Sequence, residues 1–439
     1  MVEYAIINRK DSVKKRGSGM QQKTKQRQRE YLKDALAFLK WVIYACFIGI
    51  LVGAVGIVFH HGIDMATHLR GEIPDMIWFL PFGGLAIVLM YAATGMEKDR
   101  GTNQVLVAVR DGQQLKLRTA PLIFTSTIVT HMVGGSAGRE GAALQLGGSL
   151  AAYIGRLVHL DGKDHRVMVM CGMSAAFSAL FGTPLTAAVF AMEVVSVGVM
   201  YYSALVPALV SALVAFELAK FTGMHITVGY SVGMIAEMTP STLLRAAVLG
   251  LLCAIVSVLF CKCMHYAPHI YAKFFKDPVA RAAVGGLLLM LMTIAVGNQD
   301  YNGAGDPVIR RMLAGETIPE AFLMKILFTA VTLGAGFRGG EIVPVLFTGC
   351  AFGTLAGPML GLPHGFSGAL GMAAVFCGAT NCPLSSILLS YELFGGQGLP
   401  MYALACGVSY ALSGYYGLYS EQKIVYSKYR PVWIDKKAE

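Results

Sequence analysis

Charged side chains are scarce in this sequence. Only 14% of the 439 residues are Asp, Glu, Lys or Arg, whereas 55% are hydrophobic. Soluble globular domains use charged residues at about a quarter of their positions. The composition therefore excludes an ordinary soluble protein and predicts a polytopic membrane protein, with the lipid bilayer as its surroundings.

Common metal-site patterns are also missing. The nine cysteines form no CxxC pair, and none of the ten histidines belongs to an HExxH motif. Most of the cysteines fall inside apolar runs, where a free cysteine behaves as a small core residue. We therefore predict no metal site and no cofactor.

The charges that are present concentrate at the two ends of the chain. Residues 1–34 hold ten Lys or Arg against four Asp or Glu, and the tail over 423–437 is also basic. By the positive-inside rule, both termini are expected in the cytoplasm, with an even number of crossings of the cell membrane. A basic flank beside a first span needs no partner beyond anionic lipid, so no nucleic acid is expected.

The apolar runs recur along the chain, but several are too short to cross a membrane directly. Examples are Thr119–Val133 and Pro383–Leu393, whereas a straight crossing needs roughly 20 residues. Short segments interrupted by Gly or Pro are typical of helices that stop halfway across the membrane, next to a cavity. This pattern indicates transport of a solute.

One charge pair lies inside a glycine-rich apolar segment. Arg139 and Glu140 occur in GGSAGREGAALQLGG, over 134–148. A carboxylate at membrane depth is costly to keep and is a functional-site hypothesis by default. The glycines allow close backbone approach, and a helix that begins here would direct free N–H groups at an anion. The alternative is a charge pair at a loop tip on the membrane surface.

The second half of the chain resembles the first. Pro184 and Pro383 each begin a Pro-Leu segment nine residues before a glutamate, Glu193 or Glu392. Upstream, Glu140 and Glu341 each lie in a glycine-rich turn that opens an apolar helix, 44 and 42 residues before those prolines. We predict two repeats of opposite orientation, over 35–221 and 242–416, with a solute site between them. Residues 417–439 are predicted to form a C-terminal helix or tail.

These residues resemble the CLC family of chloride channels and anion/proton antiporters. GREGAALQLGG is similar to that family's GREGPxxQxGG signature, and GGEIVP over 339–344 is similar to its GGxFxP block. The resemblance implies an all-α fold with broken and tilted helices, a homodimer, halide transport rather than enzymatic activity, and no CBS domains. It assigns gating and proton exchange to Glu140. It implies anion binding by Thr102, Asn103, Gly138, Arg139, Gly141, Ile342, Val343 and Tyr419, with Glu341 as a secondary site.

Departures from the chloride-type pattern bear on the ion. Glu193 is followed by Val194, so the second acid that serves chloride/proton antiporters as an internal proton relay is absent. Gly101-Thr102-Asn103 and GGEIVP are similar to motifs of the fluoride/proton antiporter branch. However, that branch typically has Met where Thr102 stands and Thr where Val343 stands. Proton-coupled fluoride export is favoured, and a chloride channel or chloride/proton exchanger is the alternative.

Further readings stay open from the sequence. Asn103 either supplies an amide donor to the ion or only caps a helix that begins near Gln104. The acids could also serve an intramembrane enzyme acting on a lipid or peptide, which would need a water-filled cleft with paired carboxylates. A non-transporting scaffold is the last alternative, and the glycine-rich setting of Glu140 disfavours it.

Overall fold

The computed structural model describes the backbone of residues 2–224 and 229–439 and the side chains of 26–224 and 229–439. Side chains 1–25 of the predicted basic segment lie outside the described residues. The described residues form sixteen α-helices. They are α1 Val2–Glu72, α2 Leu80–Ala93, α3 Thr102–Asp111, α4 Thr119–Val133, α5 Glu140–Leu157, α6 Gly162–Phe181, α7 Pro184–Glu193, α8 Leu205–Phe221, α9 Pro240–Phe274, α10 Pro278–Val296, α11 Asp306–Leu313, α12 Ala321–Gly334, α13 Ile342–Met359, α14 His364–Thr380, α15 Pro383–Phe394 and α16 Leu399–Leu412.

Only some of these helices are long enough to cross a membrane. Within the described residues, six apolar segments reach 18 residues or more, whereas α4, α7, α12 and α16 are apolar but only 10 to 17 residues long. The long ones are Gln26–Glu72, Pro74–Ala93, Tyr202–Phe221, Pro240–Phe274, Pro278–Val296 and Ile342–Met359. The prediction of a polytopic membrane protein with broken helices is confirmed.

The helices fall into two series of eight that correspond in order. In both series a short third helix begins after a glycine in the left-handed region, Gly101 with φ 61° and Gly305 with φ 89°. The fifth helix of each series, α5 or α13, has 18 residues. Glycines allow it to pack tightly on the sixth, because a Cβ at Gly147 would lie 2.1 Å from the carbonyl oxygen of Gly172. In the second series a Cβ at Gly349 would lie 2.4 Å from the carbonyl oxygen of Gly371.

Two glutamates join the series by reciprocal capping. The carboxylate of Glu193, at the end of α7, accepts hydrogen bonds from the N–H groups of Leu384 and Ser385 at the start of α15, at 3.0 and 2.8 Å. The carboxylate of Glu392, on α15, accepts from the N–H groups of Leu185 and Thr186 at the start of α7, both at 2.9 Å. Each carboxylate therefore satisfies donors that a helix start leaves without an intrahelical partner.

The C-terminal segment forms strands where a helix was one of the predicted outcomes. β2 Lys423–Tyr426 pairs in parallel with β1 Ser196–Val197 and antiparallel with β3 Trp433–Lys437. The prediction of a helix in 417–439 is wrong, because β-branched Ile424 and Val425 favour a strand and β1 supplies the edge for it. The buried amide of Gln422 anchors this segment to both series by donating to the carbonyl oxygens of Val194 and Thr380, at 3.0 and 2.8 Å.

Candidate anion-binding site

The two glycine-rich loops meet in the middle of the protein. Gly138 and Gly340 form an antiparallel bridge in which each N–H donates to the other's carbonyl oxygen, at 2.7 Å in both directions. Side chains would prevent this approach, because a Cβ at Gly340 would lie 2.5 Å from the nitrogen of Gly141. The bridge therefore holds the starts of α5 and α13 side by side.

Both helix starts leave N–H groups available for an anion. The first intrahelical bonds run from the N–H of Ala143 to the carbonyl of Arg139, at 2.9 Å, and from the N–H of Val345 to the carbonyl of Glu341, at 3.0 Å. The N–H groups before these positions have no intrahelical acceptor, and among them are those of Gly141, Ile342 and Val343. Two positive helix-dipole ends therefore face the same small volume, which favours an anion.

Glu140 is the first residue of α5, and its side chain is only 1% exposed. One carboxylate oxygen accepts a hydrogen bond from the N–H of Arg139 at 3.0 Å, and the other lies 3.6 Å from Nε of Arg139. The same guanidinium lies 3.4 Å from Asp64 on α1, whose other oxygen is 2.9 Å from Nε2 of His60. The arginine charge is therefore shared between two carboxylates.

A cavity of about 570 Å³ reaches the Glu140 side chain from one side. We call it the vestibule cavity; its lining includes Asp64, Arg70, His131, Arg139, Glu140, Asp306 and Val343. The carboxylate lies at its inner end, against the Gly138–Gly340 bridge, because a Cβ at Gly138 would lie 2.8 Å from the Glu140 carboxylate. The cavity gives this side chain space into which it can turn.

A second buried carboxylate lies across the bridge. A Cβ at Gly141 would lie 3.2 Å from Oε2 of Glu341 and 3.4 Å from the Thr102 hydroxyl. Oε2 of Glu341 is buried and has no hydrogen-bond partner among the described residues. The Thr102 hydroxyl donates to the carbonyl of Gly141 at 3.2 Å and lies 3.3 Å from the Gln145 amide nitrogen, which is its donor. The helix starts thus separate two acids with different surroundings.

The C-terminal segment brings Tyr419 towards the start of α3. The N–H of Leu418 donates to the carbonyl of Ala379 at 2.7 Å, and the N–H of Glu421 donates to the side-chain oxygen of Asn103 at 3.0 Å. Tyr419 lies between these two anchors with only 1% of its surface exposed. Its hydroxyl has no partner within the described parts of the chain, so it remains available to a ligand.

Comparison with known proteins identifies the family. The model of the voltage gated chloride channel family matches residues 82–414, which is more than half of the chain. The chain belongs to the CLC family. Its helices, its apolar composition and its relatives make it a multi-pass CLC membrane protein, and members of this family are channels and transporters rather than enzymes.

The names of similar CLC proteins include both fluoride and chloride. The chain is 35% identical to a chloride/fluoride channel protein of Pseudomonas syringae pv. tomato, over 91% of this chain and 90% of the relative. It is 24% identical to the H(+)/Cl(-) exchange transporter ClcA of Yersinia pestis, over 80% of both chains. The crystal structure of a CLC-type fluoride/proton antiporter is similar with a TM-score of 0.84 at 32% identity, over 88% of this chain and 98% of that one.

This CLC structure brings most of the sequence-predicted site residues together around the Gly138–Gly340 bridge. They are Thr102, Gly138, Arg139, Glu140, Gly141, Glu341, Ile342 and Val343. The N–H of Gly138 is used by Gly340, so the contribution of this glycine is the close approach rather than a free donor. Arg139 contacts the Glu140 carboxylate through its backbone N–H and through Nε of its guanidinium group.

Asn103 does not have the predicted role of a helix cap. α3 begins at Thr102, its N-cap is Gly101, and no side chain caps it. The reading of Asn103 as a cap for a helix that begins near Gln104 is therefore wrong. The side-chain oxygen instead accepts from Glu421, because the C-terminal segment passes alongside the start of α3.

Sequence reasoning missed several buried polar residues of this CLC protein. Gln145 bonds Thr102 and Gly141, and its place in the GREG segment was the signal that could have found it. Lys325 is fully buried and donates to the carbonyls of Tyr301 and Gly303, at 3.1 and 2.7 Å. A lone lysine in an apolar run is the kind of signal that marks a residue of the protein interior.

Proposed function

We propose that this protein exports fluoride in exchange for protons and that Glu140 competes with the anion for one site. The observation that carries the proposal is the position of the Glu140 carboxylate. It is buried at the adjoining starts of α5 and α13, with the vestibule cavity on one side and Thr102 and Glu341 on the other. A carboxyl group that occupies the place of the anion couples its own protonation to passage of the anion.

The ionised carboxylate of Glu140 acts as a tethered anion. It accepts the N–H of Arg139, a donor that an incoming halide would otherwise use. Protonation removes the charge that attracts the group to the helix starts, and the neutral side chain turns into the vestibule cavity that it lines. The halide then takes its place, so a proton and an anion use the site alternately.

Partial charges, rather than a full counter-charge, hold the bound anion in this proposal. The N–H groups of Gly141, Ile342 and Val343 supply the helix-dipole ends, and the hydroxyl of Tyr419, which has no partner within the described residues, adds a donor. The Thr102 hydroxyl joins them when it turns from the Gly141 carbonyl to the anion. The guanidinium of Arg139 is already shared between Asp64 and Glu140. Donors of this kind bind a halide while still allowing it to leave.

The second acid favours fluoride. Fluoride is a small ion and a strong hydrogen-bond acceptor, so a protonated Glu341 can donate to it, and a site rich in donors replaces its hydration. Oε2 of Glu341 has no partner within the described residues and lies beside Gly141. Support also comes from the relatives whose names include fluoride.

Chloride transport is the second candidate. Val343 places an apolar side chain at the vestibule cavity, and Thr102 offers only one hydroxyl to the inner side. Both features suit a larger and less strongly hydrated anion. The Yersinia relative named as a proton/chloride exchanger supports the same reading.

The termini belong on one side of the membrane in this proposal, facing the cytoplasm. Lys40, near the middle of α1, pairs with Asp164 at the start of α6, at 2.9 Å. Two residues further along α6, the guanidinium of Arg166 lies beside the end of α3, because a Cβ at Gly112 would lie 3.6 Å from it. Arg110, on α3, donates to the carbonyl of Glu421 in the C-terminal segment. Through α6 and α3, these contacts connect α1 near Lys40 with the C-terminal segment, which supports a common side for the two termini.

A homodimer is part of the proposal, with one anion pathway in each subunit. Apolar side chains stay exposed on the helices around the reciprocal caps, including Leu384 and Tyr391 on α15 and Leu412 on α16. A second copy or lipid would cover such a surface. Cross-linking of the purified protein in liposomes distinguishes the two, because only a dimer gives a discrete doubled mass.

Parallel efflux measurements test the ion assignment. The full-length protein is reconstituted in liposomes loaded with fluoride or chloride, and anion release and proton uptake are recorded together. We expect fluoride to leave faster than chloride, with an inward movement of protons that follows the fluoride. Equal release of the two anions would favour the chloride candidate, and fluoride release without proton movement would overturn the exchange mechanism.

A further inference from the structure

A second cavity, of about 350 Å³, lies where α2 ends and α10 begins, away from the anion-binding site. Its lining includes Tyr91 on α2, Glu97 in the following loop, Asp277 and Arg281 at the start of α10, and Arg338 between α12 and α13. We call it the arginine cavity. None of the residues that line it is used by the proposed transport mechanism.

Two arginine donors in this cavity lack an acceptor. Nε of Arg281 and Nε of Arg338 are both buried without a hydrogen-bond partner among the described residues. Over 26–224 and 229–439, neither guanidinium has a carboxylate oxygen within 4.0 Å. Buried donors in folded proteins are almost always bonded to protein, water or a ligand. Both Nε atoms are buried within the protein, so a ligand in the cavity would be bound through the terminal Nη groups of the two guanidinium groups, which form no hydrogen bond or ion pair in the described residues.

The acids that line the cavity do not serve as acceptors for the two arginine side chains. The carboxylate of Asp277 is occupied as the cap of α10, where it accepts from the N–H groups of Val279 and Ala280 at 3.1 and 3.3 Å. Glu97 is exposed and forms no ion pair in the described parts of the chain. The arginine cavity thus holds two cations whose charge no contacting carboxylate neutralises.

The guanidinium of Arg338 lies over the ring of Tyr91. Its carbon lies 4.3 Å from the centre of the Tyr91 ring. Stacking on an aromatic ring uses the face of a guanidinium and leaves the N–H groups in its plane free for an oxyanion. Guanidinium groups match phosphate geometry with paired hydrogen bonds, which an ammonium group cannot reproduce.

Apolar surface adjoins the cavity along the membrane-facing sides of α2 and α10. Ile87 and Val88 line the cavity itself. Leu89 is 50% exposed, and Leu288 and Leu291 on α10 are also exposed. A ligand that fits both parts carries an anionic phosphate group and long hydrocarbon chains. A free anion would leave the apolar surface uncovered.

We propose that the arginine cavity binds the headgroup phosphate of one anionic phospholipid, with the acyl chains lying along α2 and α10. Arg281 and Arg338 donate to the phosphate oxygens. This proposal concerns lipid binding and stands whether the transported ion is fluoride or chloride.

Native mass spectrometry of the full-length protein in detergent tests the proposal directly. Phosphatidylglycerol is titrated against wild type and against Arg281→Gln, Arg338→Gln and the double variant, with phosphatidylcholine as the neutral lipid. Lys273→Gln is the matched control, because Lys273 is an exposed cation at the end of α9 that does not line the cavity. We expect each arginine variant to bind the tightest phosphatidylglycerol about tenfold more weakly, and the control to bind it as wild type does.

Three results would overturn the proposal. The first is equal binding of phosphatidylglycerol by wild type and the double variant. The second is equal binding of the anionic and the neutral lipid by wild type. The third is displacement of the lipid by inorganic phosphate at the same concentration, which would make the cavity a site for a soluble anion. If a glutamine variant does not fold, Arg281→Lys and Arg338→Lys keep the charge and should weaken binding through loss of the paired hydrogen bonds.

Discussion

One pair of glutamates, Glu193 and Glu392, has the same role in both halves of the molecule, whereas the pair Glu140 and Glu341 does not. Glu193 and Glu392 have equivalent surroundings, since each caps the helix start of the other half with bonds of 2.5 to 3.0 Å. Glu140 and Glu341 lie at the starts of α5 and α13 but one position apart, since Glu140 is the first residue of α5 and Glu341 is the N-cap of α13. However, Glu140 contacts Arg139 and lines the vestibule cavity, whereas Oε2 of Glu341 has no partner within the described residues.

In the proposed mechanism, this contrast separates residues that hold the fold from residues that serve transport. Each of these caps satisfies donors at the helix start of the other series, so the two caps need no difference between them. A transport site must instead differ on its two sides if it is to accept an anion from one compartment and a proton from the other. The third helices follow the same rule. Gly305 is followed by Asp306 at the vestibule cavity, while Gly101 is followed by Thr102 beside Gly141.

The largest expected effect concerns the asymmetric pair. Glu140→Gln should reduce proton-driven fluoride export by about a hundredfold or more, because an amide cannot alternate between an ionised plug and a neutral open form. Glu341→Gln is the matched variant and should slow fluoride while leaving proton coupling in what transport remains. Proton uptake and fluoride release from liposomes are measured together. Unchanged proton-driven transport in Glu140→Gln would remove Glu140 from the gating role.

The symmetric pair should respond equally and in stability rather than in selectivity. Glu193→Gln and Glu392→Gln each replace a carboxylate that accepts three hydrogen bonds with an amide that lacks the charge. We expect each variant to lose about 2 kcal/mol of stability. Thermal unfolding in detergent gives the stability, and the fluoride-to-chloride efflux ratio serves as the control. A changed ion ratio in only one of the two variants would break the proposed equivalence.

Asn103 provides the smallest expected effect and tests the asymmetry of the third helices. Asn103→Gly removes both the acceptor for the Glu421 N–H and the amide donor, and should lower the fluoride preference by about tenfold. Asn103→Asp keeps the acceptor but replaces the donor with a negative charge. If the efflux ratio changes in both variants, the Asn103 amide lies close enough to act on the ion. A change in the glycine variant alone would show that Asn103 acts by anchoring the C-terminal segment.

Much of the candidate site could be predicted because its residues carry local signals. The glycines around Glu140 and Glu341 are needed for the Gly138–Gly340 bridge, where a side chain would clash. Such glycine-rich turns are visible in sequence, as is a lone carboxylate in an apolar run. The family resemblance added Thr102 and Tyr419, which no local pattern distinguishes.

The remaining features depend on contacts between segments that are distant in sequence. Glu193 and Glu392 were recognised as a repeat, but their capping roles depend on how α7 and α15 face each other. The Asn103 contact required the C-terminal segment to return to α3. The strand at Lys423–Tyr426 likewise formed because β1, more than two hundred residues earlier, offered an edge. Local propensity cannot predict such pairings.

Fluoride binding to Glu140→Ala tests most directly whether this carboxylate and the anion compete for one place. Titration calorimetry at pH 7.5 compares wild type, Glu140→Ala and Glu193→Gln, the last as a control at a buried glutamate outside the site. Removing a tethered competitor should tighten fluoride binding about tenfold or more, since a tethered group acts at a high effective concentration. The control should bind as wild type does. Equal fluoride affinity in wild type and Glu140→Ala would contradict the competition on which the proposed exchange depends.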